Sequence, residues 1–228
     1  MVFNTKRSFI LLIFSLILSG CKENTAPESV SDYDYFPVQS GSISRFTVTR
    51  TTYFPSGPQR VSDYQIQSVV GEVFNITDKQ SANRIAYSSK WSKSEWRTDS
   101  SAAIWRTADK AFAQEHGQTI IKMYFPLSEG LSWNGNSYNQ GAEQPFRCVD
   151  KGKPKQIGLQ YFPNTVTIVR QQDSTLLSKN KYIEIYAAGV GLVATEKIHV
   201  KYCYTPDCSG TIVSGYEEKA VIQELNTL

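Results

Sequence analysis

The sequence predicts an all-β domain, in a barrel or sandwich arrangement, on three observations. From Tyr35 onward the chain is rich in Tyr, Thr, Val, Ile and Trp set in short alternating stretches. No long segment of helical period is free of Gly, Pro or β-branched residues. Clusters such as Pro55-Ser56-Gly57-Pro58, Asn134-Gly135-Asn136 and Asp207-Cys208-Ser209-Gly210 punctuate the alternation with residues that bend the chain or tolerate positive φ.

The expected strands follow in order. Period-two alternation places them at Ile43 to Tyr53, Val61 to Val70, Arg84 to Trp91, Ala102 to Thr107 and Thr119 to Tyr124. Four more fall at Thr165 to Gln171, Lys181 to Ala187, Leu192 to Tyr204 and Glu217 to Leu225. Asp109 to His116 reads as a short helix. Trp91 shares a strand face with Ile85 and Tyr87, the pattern of a core face, whereas Trp133 sits beside a turn and reads as a surface aromatic.

The start of the chain has a different composition. Lys6 and Arg7 precede an apolar run from Phe9 to Leu18, too short for the roughly 20 residues of a membrane-spanning helix. A charged start, a short apolar stretch and small residues before a cut describe a secretory signal over residues 1–20. Leu18-Ser19-Gly20-Cys21 resembles the bacterial lipobox, which makes Cys21 the expected lipid attachment site and the outer membrane the expected location, on its periplasmic or surface face. Two or three acyl chains, at about 0.8 kcal/mol per buried methylene, hold a protein stably on a bilayer. Residues 21–34 are polar and acidic and read as a tether, and residues 35–228 as one domain.

Removing residues 1–20 takes away Lys6 and Arg7 and no acid, so the formal charge falls from +3 to +1. A near-neutral chain gives no electrostatic basis for nucleic-acid binding. The expected partners are the membrane through the anchor and a lipid, a glycan or another envelope protein.

Short motifs recur. Tyr35-Phe36-Pro37-Val38-Gln39-Ser40-Gly41 and Tyr124-Phe125-Pro126-Leu127-Ser128-Glu129-Gly130 share an aromatic pair, a proline, an aliphatic residue and a glycine. They mark either two related halves or two strand ends with the same punctuation. With Trp133-Asn134-Gly135-Asn136 and Gly189-Val190-Gly191-Leu192-Val193, these motifs resemble uncharacterised envelope lipoproteins of Bacteroidota. They are similar, more distantly, to small β-sheet domains running from an early "FP…G" to a late "GVGLV". That resemblance implies a curved antiparallel sheet or open barrel and carries no catalytic residues with it.

Gly189-Val190-Gly191-Leu192-Val193-Ala194 also fits the dinucleotide fingerprint, but Thr195 to Tyr204 alternates as a strand where that motif needs a helix. A glycine-rich turn between paired strands is the expectation, with no cofactor. Cys203 and Cys208 flank Tyr204-Thr205-Pro206-Asp207 and are expected to form a disulfide in an oxidising envelope, leaving Cys148 either buried as a small apolar residue or, since three cysteines permit three single-bridge pairings, paired differently. The competing arrangement puts Cys148, Cys203, Cys208 and His199 around zinc, although the spacing is that of no known zinc module. The pair Glu217-Glu218 points to opposite strand faces and cannot flank one glycosidic bond. His116 and His199 are the two imidazoles, and neither lies in a recognisable catalytic motif.

No catalytic or metal-binding residue is therefore expected, and Trp133 is the candidate ligand contact. The basic residues Lys151, Lys153 and Lys155 read as a solvated loop open to anionic lipid or phosphate. Three functions remain in view: a non-catalytic carrier or scaffold, a surface glycan-binding module, and a hydrolase built from distant residues.

Overall fold

The computed structural model describes residues 30–92 and 94–227, with side chains as far as Glu224. The expected signal segment and Cys21 lie outside the described residues. Among the described residues one 3₁₀ turn, Asp32–Tyr35, leads into twelve strands. These are β1 (Ser42–Tyr53), β2 (Arg60–Thr77), β3 (Gln80–Trp91), β4 (Arg97–Arg106), β5 (Lys110–Glu115) and β6 (Gln118–Tyr124), then β7 (Ser132–Asn134), β8 (Pro145–Ile157), β9 (Gln160–Ser174), β10 (Ser178–Ala187), β11 (Gly191–Tyr202) and β12 (Ile212–Thr227).

All twelve belong to one antiparallel sheet in the order β6-β5-β4-β3-β2-β1-β12-β11-β10-β9-β8-β7. The first and last strands pair at its centre, and the chain meanders outward from there on both sides. The sheet then curls until its two outermost strands meet. The Ile121 amide of β6 donates to the Gly135 carbonyl just past β7 (2.9 Å), and Trp133 Nε1 donates to the Ile121 carbonyl (2.9 Å). The Asn139 side chain accepts from the Thr119 amide (3.0 Å) and donates to its carbonyl (2.7 Å). The seam satisfies backbone groups that two free edges would leave open, and the result is a nearly closed barrel.

The expected strands form, several of them longer than the alternation indicated. Asp109 to His116 is not a helix: Lys110–Glu115 pairs with β4 and β6. Its Lys-Ala-Phe-Ala-Gln-Glu sequence favours a helix locally, and cross-strand burial of Ala111, Phe112 and Ala113 overrides that preference. β7 and β8 were hidden by Asn-Gly and Pro-Lys clusters. The ordered domain also begins before Tyr35, because Ser31 and Asp34 form a reciprocal capping box around the 3₁₀ turn.

Antiparallel alternation sorts the connections to two ends. The β1–β2, β3–β4, β5–β6, β7–β8, β9–β10 and β11–β12 links lie at one, the mouth, and the remainder at the base. The base is plugged by the N-terminal segment, where Tyr35 and Phe36 are buried. Asp32 Oδ2 accepts from the Leu127 amide (2.7 Å), its Oδ1 pairs with Lys151 (2.7 Å), and the Asp34 carbonyl accepts from the Gly189 amide (2.9 Å). The β8–β9 hairpin bends where its register breaks between Lys153 and Lys155, opposite Pro163 in β9, with Pro154 in the break on β8. Its tip folds over the outside of the sheet, packing Ile157 and Phe162 beside Ala194 and donating from Gln160 Nε2 to the Gln223 carbonyl (2.8 Å).

Candidate binding site

Cross-strand partners share a face, so the register identifies what points into the barrel. One inward row runs Tyr182, Lys197, Glu218, Arg50 and Ser62, and the next Glu184, Thr195, Ala220, Val48, Tyr64 and Trp91. The inward face is apolar toward the base and polar from mid-height to the mouth.

At mid-height four charges meet. Glu184 Oε1 accepts from Lys122 Nζ (2.6 Å), Arg170 (2.8 Å) and the Tyr182 hydroxyl (2.9 Å), while its Oε2 accepts from the Tyr186 hydroxyl (2.8 Å). Glu115 accepts from the same two cations, from Lys122 at 2.6 Å and Arg170 at 2.8 Å. Burial opposes ionisation of Glu184, but Lys122 and Arg170 outweigh it and hold the carboxyl below its ordinary range. The same balance lowers Glu115. Burial, reinforced by Glu115 and Glu184, pushes the Tyr87 hydroxyl up to about 12.

The network continues to the rim. Lys197 Nζ lies 5.0 Å from the Tyr182 ring centroid and 3.6 Å from Glu218 Oε1. Glu218 Oε2 accepts from Arg50 (3.2 Å) and the Tyr64 hydroxyl (3.0 Å), and burial with Glu218 beside it pushes Tyr64 up to about 12. The Arg50 guanidinium covers the Tyr216 ring at 4.0 Å. Trp91 lies flat on Tyr64, centroids 4.3 Å apart and planes 16° from parallel, with half its surface open. Ser62, Ile66, Ser68, Tyr87 and Ser89, also inward on β2 and β3, are partly exposed, so water reaches this side of the interior.

Two sequence expectations about tryptophan are therefore corrected. Trp133 is 8 % exposed: its ring packs on Phe146 and Tyr124, and its indole N–H closes the seam. An indole beside a turn is buried here because the turn itself is pressed against β6. Trp91 sits at the strand end facing the mouth, where the inward face has ceased to be core, and it is the exposed ring. The alternation found the correct face and could not show where along the strand the core ends.

Cys203 and Cys208 are joined as a disulfide with Cα atoms 5.6 Å apart, and Cys148 is a free, buried thiol. The zinc alternative loses two of its four ligands to that bond. The Gly189-Val190-Gly191 segment is the turn between β10 and β11, and β11 follows it where a dinucleotide site needs a helix. Lys151, Lys153 and Lys155 lie on β8 rather than in a loop, engaged with Asp32 and Asp150.

Glu115 and Glu184 need a separate test as a catalytic pair, since both carboxylates lie 2.6 Å from one nitrogen and so within twice that distance of each other. A retaining glycosidase places its carboxyls about 5–5.5 Å apart, and one of them must carry a proton near neutral pH. Here both are held ionised, and Glu184 is fully enclosed. His199 is exposed at the mouth with Nδ1 2.5 Å from Asn180 Oδ1, and His116 occupies the β5–β6 turn. Among the described residues neither imidazole contacts a carboxylate. The charged cluster is built as a neutral brace, and the open groups stand at the rim.

No protein-family model matches this chain, and a comparison with curated proteins finds no match. Among solved structures, the chain is similar to one described as an exported protein with a YmcC-like fold from Bacteroides fragilis. That match has 11 % identity and a TM-score of 0.47, covering 85 % of this chain and 99 % of that one. It is also similar to a structure described as a lipoprotein from Parabacteroides distasonis, with 14 % identity and a TM-score of 0.43, covering 84 % of this chain and 98 % of that one.

Proposed function

We propose that this chain is a lipid-anchored protein of the bacterial cell envelope that binds a glycan at the mouth of its barrel without catalysis. The observation that carries the reading is the half-exposed Trp91 stacked on Tyr64, whose hydroxyl meets the Glu218 carboxylate shared by Arg50 and Lys197. A flat indole braced by a second ring offers the apolar face of a sugar a platform, and the surrounding donors and acceptors match its hydroxyls. Arg50 and Lys197 are more exposed than the carboxylate they share, which favours neutral or acidic sugars over basic ones.

The lipid-carrier reading is weaker on the same geometry. Sheltering an acyl chain needs a continuous apolar lining, and the inward face is interrupted at mid-height by two carboxylates and two cations. Anchoring through Cys21, and delivery to the outer membrane, rest on the lipobox-like Leu18-Ser19-Gly20-Cys21. Titration of the protein with a panel of envelope polysaccharides, read by tryptophan fluorescence, tests the glycan reading. Quenching or a blue shift that Trp91→Ala abolishes is expected, and an unchanged spectrum across the panel removes it.

A further inference from the structure

β2 outruns its neighbour. Its pairing with β1 ends at Val69, the Val70 carbonyl accepts from the Gly41 amide (2.8 Å), and β2 then continues to Thr77 paired with β3 alone. Residues 72–79 are all exposed, and past the last β3–β4 pair, Asn83–Ile104, the two strands run on alone as a ribbon at the base, rooted in the buried Ala82 and Asn83. Its sequence does not suit that position. Val73 is 60 % exposed, Ile76 43 % and Phe74 38 %, on a ribbon whose two faces both meet water. A free two-stranded hairpin is marginal in water, and of these three side chains only Phe74 has an apolar cross-strand partner, the small Ala82.

The N-terminus leaves the domain at this same end. Tyr33 donates its hydroxyl to the Ala108 carbonyl (2.7 Å) in the β4–β5 turn, and the Asp34 carbonyl accepts from Gly189 in the β10–β11 turn, both at the base. Cys21 precedes Val30 by nine residues, which span at most ~30 Å. From Val70 to Thr77 the ribbon advances roughly 20 Å at ~3.3 Å per residue. A lipid on Cys21 thus lets the base approach the bilayer to within the length of its own ribbon.

From this juxtaposition we infer that the β2–β3 ribbon is a second membrane contact, inserting Val73, Phe74 and Ile76 into the headgroup and acyl boundary of the phospholipid bilayer that holds the anchor. Apolar residues on both faces suit a surrounding solvent such as lipid, whereas a protein partner would select one face. The contact holds the base toward the membrane and turns the mouth, with Trp91, away from it. The inference rests on the anchor reading above.

The test uses the full lipidated chain carrying Phe74→Cys or Leu176→Cys, each labelled with an environment-sensitive fluorophore, in phosphatidylethanolamine–phosphatidylglycerol vesicles. Leu176 lies in the β9–β10 turn at the mouth and is exposed, and the buried Cys148 stays unlabelled. The expected result is a blue shift at position 74 and its quenching by a lipid-borne nitroxide, with position 176 unaffected. Protein that floats with the vesicles but shows no quenching at 74 overturns the ribbon contact alone. Protein that fails to float overturns the anchor reading and the ribbon contact with it. A shift at 74 that follows protein concentration rather than lipid assigns the ribbon to a second copy of the chain and also overturns the proposal.

Discussion

The Lys122 ammonium and the Glu184 carboxylate meet at 2.6 Å inside the barrel, tying edge strand β6 to β10 across 62 residues of sequence. Arg170 and Glu115 complete the group, so two cations and two anions neutralise each other where water is largely excluded. A buried brace of this kind is costly to desolvate and more costly to break. Glu184→Gln should leave two cations sharing Glu115 alone and destabilise the fold by about 3–5 kcal/mol. Urea unfolding of the variant against the parent measures it.

The same brace sets the acid limit. Glu184 and Glu115 have folded-state values below those of the unfolded chain, so the native state binds fewer protons. Their contribution is complete above the unfolded carboxylate value of about 4.3 and is lost as pH falls through the lower folded values. Stability should hold from neutral pH to about pH 5 and decline progressively below it. In Glu184→Gln the decline should be shallower, which thermal unfolding across a pH series reads directly.

The two tryptophans named from sequence should exchange roles under mutation. Trp133 is buried and closes the seam, so Trp133→Ala should cost about 3–5 kcal/mol. Trp91 is half open, and Trp91→Ala should cost about 1 kcal/mol, roughly the worth of its stack on Tyr64. Paired denaturant melts decide between this assignment and the opposite one.

Much of the architecture was legible because sheet residues alternate with period two, and the all-β class follows from that alternation. The end points of the site were not. Glu115, Lys122, Arg170 and Glu184 come from β5, β6, β9 and β10, and no local spacing relates them. Arg170 and Lys122 sit at register breaks but keep the period-two phase of the buried Ile168 and Ile120, so alternation puts a charge where it predicts core and gives no sign of its partner. The recurring motifs stand ahead of β1 and β7, at the start of the two six-strand halves, and carry packing roles: Phe36, Phe125 and Leu127 pack the base, a Cβ on Gly191 would lie 3.2 Å from Pro37, and Trp133-Asn134-Gly135-Asn136 is the seam. Their sequence signal is strong because close backbone approaches admit few residues, and it is structural for the same reason.

Gly135 shows how narrow that tolerance is. Its carbonyl accepts from Ile121, and a Cβ added there would lie 2.6 Å from the Phe146 ring. Gly135→Ala must displace a ring that is 1 % exposed and itself covered by Arg170 at 4.7 Å. Overpacking of this kind costs about 1–3 kcal/mol, and the damage should concentrate at the seam. Amide hydrogen exchange should quicken at Ile121 and Thr119 before it does in β1 and β12 at the sheet centre, and uniform exchange would show that the seam is not a separate unit.

The disulfide closes a loop of five residues' separation at the mouth. Chain entropy assigns so short a loop about 2 kcal/mol, so reduction should lower the unfolding midpoint without unfolding the barrel. Cys148 should stay silent throughout. It is enclosed between β7 and β9, and burial together with Glu129 pushes its thiol up to about 11. A nucleophile needs the thiolate and a path to solvent, and Cys148 has neither at neutral pH. Native protein treated with reductant and then iodoacetamide should take label at Cys203 and Cys208, with Cys148 modified only after denaturant is added. Label on Cys148 in the folded state would mean that the base opens far more readily than its packing implies.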